Sequence, residues 1–189
     1  MLLCPVCHEP LVDDERGAAC AGGHRFDRAR EGYLYLPRSS KSGDSMGDPK
    51  SQARSRRDFL NRGYYAPLRD AMVELVRERV SGRAASTNCP MTLLDICCGE
   101  GYYTAQLAEQ LPEADGYALD ISREAVKRAA ARGRSRSLRD AALPTSMSVA
   151  ALTWLVASMA RVPLADASCQ LLASVFSPLD WQEAKRLLA

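Results

Sequence analysis

Cys4, Cys7, Cys20 and His24 stand at the start of the chain with the spacing C-x2-C-x12-C-x3-H. Thiolates and an imidazole in two close pairs are ligands for a tetrahedral zinc ion. Each pair fits on one tight turn, and Gly22 and Gly23 let the second turn bend sharply. Four protein ligands leave no open coordination position, so a zinc held this way is structural. His8 adjoins the cluster but breaks its spacing. A segment this short buries too little apolar surface to fold alone, and zinc ligation supplies about 10 kcal/mol or more. The metal is expected to take the place of a core.

A second constellation lies in DICCGEG, residues 95–101, between an apolar run and a helical pattern. Open α/β sheets bind nucleotide-like ligands at this kind of junction. Gly99 and Gly101 are expected to let backbone approach such a ligand, with Glu100 at the tip of the loop. Asp120 ends the next apolar run and suits the two ribose hydroxyls. A dinucleotide fingerprint wants a third glycine where Thr104 stands, and a carboxylate at Glu100 would repel a pyrophosphate. S-adenosyl-L-methionine, a sulfonium without phosphates, fits better.

These residues need elements to hold them. Helical spacing begins at Asp58, with Leu68, Met72, Leu75, Val76 and Val80 on one face and Pro67 in a first turn. MTLLDI, YALDIS, LTWLVAS and LLASVFS read as four strands, alternating with helices over YYTAQLAEQL, SREAVKRAAAR and WQEAKRLLA. Ser122 and Asp180 are placed to cap two of those helices. The alternation predicts a parallel sheet with right-handed crossovers. The expected fold class is α/β: a small zinc-binding module, then a partial Rossmann-like parallel sheet. Residues 1–36 form the module, 37–57 a flexible linker rich in Ser, Gly, Pro and charge, and 58–189 the α/β domain.

The 189 residues are 47% hydrophobic with a net charge of +2, which suits globular material and does not by itself argue for nucleic acid. No apolar run is long enough for a membrane span, and no secretory signal is visible. Seven cysteines, an odd number in a scattered layout, read as a metal site in a reducing, cytoplasmic compartment. From Arg25 to Arg62 there are ten Lys plus Arg against five Asp plus Glu. Within that stretch Arg25, Arg28 and Arg30 are interleaved with Phe26, Tyr33 and Tyr35. Cations with aromatics suit single-stranded RNA; a solvated surface with packed aromatics is the bland alternative.

CPVC, the Cys20 and His24 pair, HRFDRAREGYLYL, GDP, SQARSRRDFL, GYYAPLRD, LLDICCGEGYYT, LDISREAVKRAA and VASMARVPLADAS occur in this order. In this combination the chain resembles the bacterial large-subunit (23S) ribosomal RNA guanine-N1 methyltransferases, which join a zinc module to a class I methyltransferase domain. The resemblance implies S-adenosyl-L-methionine-dependent methylation of a guanine in an rRNA hairpin loop, with the zinc module helping to read that loop. It implies zinc ligands at Cys4, Cys7, Cys20 and His24, and cofactor contacts from Tyr65, Gly99, Glu100 and Asp120. It places Ser158 and Met159 at the adenine side of the pocket and residues 176–180 where the base approaches. No catalytic residue follows from it; Asp180 suits a helix cap better than a proton acceptor. It leaves room for a homodimer.

Three departures from the family pattern stand out. Cys97 replaces the first glycine of the loop. An Arg- and Ser-rich insertion, expected to be disordered, lies near 133–150. The sequence ends at KRLLA, where the family continues into a fifth strand. Four strands where a class I domain has seven lead to the expectation of an exposed apolar edge at LLASVFS, weak cofactor affinity and poor activity. Two rival readings are a methyltransferase acting on a small molecule and a zinc- and RNA-binding fragment without chemistry.

Overall fold

The computed structural model describes residues 1–37, 50–83, 91–111, 114–140 and 151–189. Three short strands, β1 (Leu11–Asp14), β2 (Gly17–Cys20) and β3 (Arg25–Asp27), form an antiparallel sheet in that order. Gly17 is required there, because a Cβ would meet the carbonyl oxygen of Phe26 at 2.1 Å. The chain then makes β4 (Leu34–Tyr35), α1 (Lys50–Asn61) and α2 (Ala66–Arg83). The α/β part follows as β5 (Thr92–Ile96), α3 (Thr104–Glu109), β6 (Asp115–Asp120), α4 (Arg123–Asp140), β7 (Ala151–Val156), β8 (Leu171–Ser174) and α5 (Trp181–Leu187).

The four strands read from the sequence are all present, and a fifth joins them. The large sheet has the order β4-β7-β6-β5-β8 and every pairing in it is parallel. β5 is buried along its whole length, as a strand covered on both faces requires. At one edge β4 pairs Leu34 with Leu155 and Tyr35 with Val156. At the other edge β8 pairs with β5, and Leu188 makes an isolated parallel bridge to Cys169.

β4 changes the picture of the zinc module. Cys4, Ala18, Cys20, Phe26, Leu34 and Leu36 share one buried cluster with Leu94, Leu119 and Leu155 of the large sheet. Leu3 also donates its N–H to the carbonyl of Pro163 at 2.8 Å, beside a bridge between Leu2 and Leu164. The metal therefore does not replace a core: the module borrows one from the sheet.

Helix boundaries differ from expectation in three places. The linker predicted over 37–57 is helical from Lys50 onward, because its Ser, Gln, Ala and Arg residues tolerate a helix; residues 38–49 lie outside the described residues. The single helix expected from Asp58 is broken at Gly63, whose φ of 81° turns the chain before α2 begins, with Pro67 in its first turn. The insertion expected near 133–150 begins as helix, since α4 runs on to Asp140; the remainder, 141–150, lies outside the described residues. Gly133 leaves room there for Trp154, whose Nε1 would lie 3.2 Å from an added Cβ. Ser122 and Asp180 cap as predicted, Ser122 Oγ accepting from Ala125 N–H and Asp180 from the N–H groups of Gln182 and Glu183.

Candidate functional site

The ligating atoms of Cys4, Cys7, Cys20 and His24 all lie within 4.8 Å of one another. The Cys7 and Cys20 sulfurs are 3.5 Å apart, and Nδ1 of His24 is 3.4 Å from Cys20 Sγ. Such distances and this donor set fit one tetrahedral zinc ion. Gly23 takes the left-handed turn at φ 82°, and a Cβ on Gly22 would sit 3.4 to 3.6 Å from three of the ligand atoms. His8 is exposed and outside the cluster. The structure brings together the four residues named from the sequence.

A cavity of about 530 Å³ lies over the carboxyl ends of β5, β6 and β8. That volume suits a small-molecule ligand. Tyr65, Gly99, Glu100 and Asp120 all line it, so the structure brings together the four residues named from the sequence. Asp120 accepts hydrogen bonds from the N–H of Gly99 at 2.9 Å and of Ser122 at 2.8 Å. Its carboxylate thus fixes the glycine loop against the β6–α4 turn. Gly99 has φ 56°, and nothing lies within 4 Å of where its Cβ would be, so its surface is open to a ligand.

Gly101 does something else. A Cβ there would meet Trp154 at 2.7 Å and Ala129 at 3.3 Å, and its φ is 74°. It is a packing glycine between the loop, β7 and α4, not a point of ligand approach. Glu100 also departs from its expected part. Its carboxylate lies 3.2 Å from both Arg128 and Arg132 and 3.9 Å from Arg57, and only 13% of the side chain is exposed. Paired this way it cannot repel a phosphate as a bare charge would, so the argument from Glu100 against a dinucleotide loses its force.

Cys97 holds φ 59°, a left-handed conformation that disfavours a side chain. Its Sγ lies 3.4 Å from Met159 Sδ, and burial raises its pKa. Met159 therefore reaches the cavity wall only through Cys97. Ser158 bonds Ala160 N–H and does not line the cavity, and Asp180 is spent on its cap. Residues 176 and 177 line the cavity.

Sequence reasoning missed Asp95. It is 2% exposed, accepts from Thr104 Oγ1 at 2.5 Å, and faces the cavity. Burial pushes its pKa up to about 7, Thr104 opposes that, and the charge of Asp120 adds to it. An acidic residue inside an otherwise apolar strand, as in LLDI, was the available signal. The Arg and aromatic stretch also reads differently in three dimensions. Phe26 and Tyr33 are buried, while Arg25 pairs with Asp14 and Arg28 with Asp13. Two of the three aromatics are core residues, and the bland alternative holds for them.

A parallel sheet with a glycine loop after its first central strand, fused to a four-ligand zinc ribbon, defines a class I S-adenosyl-L-methionine-dependent methyltransferase fold with an N-terminal zinc module. Residues 93–189 match the family model described as Methyltransferase domain, and the chain belongs to that family. Residues 2–42 match the zinc-ribbon model described as RlmA, N-terminal. Over 187 residues the chain is 33% identical to a 23S rRNA (guanine(748)-N(1))-methyltransferase from Streptomyces fradiae, covering 99% of this chain and 59% of that one. A relative from Micromonospora griseorubida, named as a candidate 23S rRNA (guanine-N(1)-)-methyltransferase, is 33% identical over 99% of this chain and 61% of its own length. The chain thus spans about 60% of the length of these curated relatives. Among solved structures, a candidate S-adenosyl-L-methionine-dependent methyltransferase from Methanococcus maripaludis is 22% identical, with 77% of this chain and 63% of that one covered and a TM-score of 0.49.

Proposed function

We propose that the chain serves transfer of a methyl group from S-adenosyl-L-methionine to N1 of a guanine in a hairpin loop of 23S rRNA. The observation that carries this is the joining, through β4, of the zinc ribbon to the sheet that bears the glycine loop and Asp120. Relatives aligned over 99% of this chain are named as 23S rRNA (guanine-N(1))-methyltransferases, which supports the reading.

The cofactor supplies an electrophilic methyl group on a sulfonium centre. When bound, it would be held and aligned by residues of this chain. Asp120, anchored by two N–H groups at the cavity wall, is the carboxylate that would accept from ribose hydroxyls. Gly99 offers bare backbone, and Tyr65 presents its ring from the turn before α2. Glu100 is steadied by its arginines at the cavity wall. Displacement requires the methyl in line with the N1 lone pair, so catalysis here is chiefly positioning. A loop guanine is partly unstacked already, which lowers the cost of presenting it. The N1 proton must leave during the reaction, and no side chain is assigned to take it.

Labelled methyl transfer to a 23S rRNA hairpin tests the reading. Methylation at N1 blocks the Watson–Crick edge, so reverse transcription should stop at the modified guanine. Label in a small molecule and none in RNA would overturn it in favour of a small-molecule substrate. RNA binding without transfer would favour the recognition fragment.

A further inference from the structure

Phe176, just past the end of β8, combines two unfavourable features. It has φ 56°, a left-handed conformation that is strained for any residue with a Cβ, and its large apolar side chain is 73% exposed. Neither feature is explained by packing. The ring nonetheless has a defined place. It meets Tyr65 nearly perpendicularly, at 81° and 5.1 Å between centroids. Tyr65 in turn meets Phe59 edge-on at 5.5 Å, and Phe59 stacks on Tyr64 at 4.9 Å. Phe59, Tyr65 and Phe176 all line the cavity of the glycine loop, as do Arg56 and Arg57 of α1. An open aromatic face beside cations, continuous with a ligand cavity, is the chemistry that holds an unstacked nucleobase and its phosphates.

We propose that Phe176 is the platform on which the target nucleobase stacks once it leaves its loop, with Tyr65 bracing the ring from the side. The assignment rests on the RNA reading above. Strain at Phe176 is the cost of aiming a ring at the space where the base must lie. On this account Phe176 contacts the base directly and takes no part in bond making, while Tyr65 acts through it as a positioning residue.

The strain gives the test its edge. Phe176→Gly removes the ring and also relieves the left-handed backbone, so a residue kept for structure and one kept for substrate respond in opposite ways. A hairpin RNA carrying 2-aminopurine at the target position reports stacking by fluorescence quenching. The wild-type protein should bind this hairpin and hold the extruded 2-aminopurine quenched relative to the Phe176→Gly complex. Phe176→Gly should lose the quench and bind about tenfold or more weakly, while its thermal midpoint stays level or rises. Phe176→Tyr should restore both quench and affinity. Quenching and affinity equal to wild type in Phe176→Gly would overturn the proposal, as would equal losses in the glycine and tyrosine variants. Failure of the wild-type protein to bind or methylate any hairpin is a different result: it removes the RNA reading itself, and the platform with it.

Discussion

The zinc centre and the glycine loop are built on opposite plans. All four zinc ligands fall between residues 4 and 24, and two tight turns bring them together. The cavity wall draws on α1, the turn before α2, the ends of β5, β6 and β8, and α4, so its parts come from residues 53 to 177. The ribbon's chemistry is local and its packing is distant, because its core is completed by the large sheet. In the loop both chemistry and packing are distant. A site made of neighbours in sequence announces itself by spacing. One made of neighbours in space shows only as separate fragments, each with an innocent alternative.

The widest test of this contrast is loss of the metal. Cys20→Ser should abolish the single bound zinc seen by native mass spectrometry. Zinc ligation is worth about 10 kcal/mol, and the ribbon shares its core with β5, β6 and β7, so the loss should spread. Trp154 sits in β7, and its fluorescence should report a lower denaturant midpoint for the large sheet too. An unchanged midpoint there would mean that the two regions are independent after all.

Next comes the pair of glycines. Gly101→Ala places a methyl group against Trp154 in a left-handed backbone, and should destabilise the fold by about 3 kcal/mol. Gly99→Ala meets open space and should cost about 1 kcal/mol in stability while weakening S-adenosylhomocysteine binding. Thermal melts and calorimetry distinguish the two effects. Equal behaviour of the variants would erase the division between packing and ligand glycine.

Asp95 makes the loop sensitive to pH. Its folded pKa of about 7 lies above the ordinary carboxylate value, so the folded state holds a proton that the unfolded state gives up. That contribution is present in full below the ordinary value and is lost as pH rises through about 7. Unfolding free energy should therefore fall between pH 5 and pH 8 by on the order of 2 kcal/mol. Asp95→Asn, which can still accept from Thr104, should flatten that slope. The same slope in the variant would assign it to other groups.

A comparable effect, on binding rather than on stability, is expected at the carboxylate that anchors the loop. Asp120→Ala should weaken S-adenosylhomocysteine binding by about 1.5 to 3 kcal/mol, and Glu109→Ala, at the far end of α3, should leave it near wild type. Matching titration curves would place the cofactor elsewhere.

These residues also show what one sequence can and cannot disclose. Apolar runs of strand length revealed β5 to β8, and capping residues marked the starts of α4 and α5. β4 stayed hidden because two residues carry no period, and its YLYL context drew a reading as an RNA-facing stretch. Arg25 and Arg28 looked available because their partners, Asp14 and Asp13, lie eleven and fifteen residues away. Gly101 looked like a ligand contact because Trp154 is far off in sequence. In each case the missing information was a tertiary neighbour, which no local rule supplies.

β4 also dictates an order of events during synthesis. Leu34 pairs with Leu155, which is added about 120 residues later. At roughly 5–20 residues per second, that interval is on the order of ten seconds. The ribbon can capture its metal as soon as His24 has emerged, but its apolar side must wait for β7 before it is covered. For that interval a nascent chain presents a metal-fixed ribbon with an unsatisfied sheet edge, the form in which a chaperone or the ribosome surface first meets it.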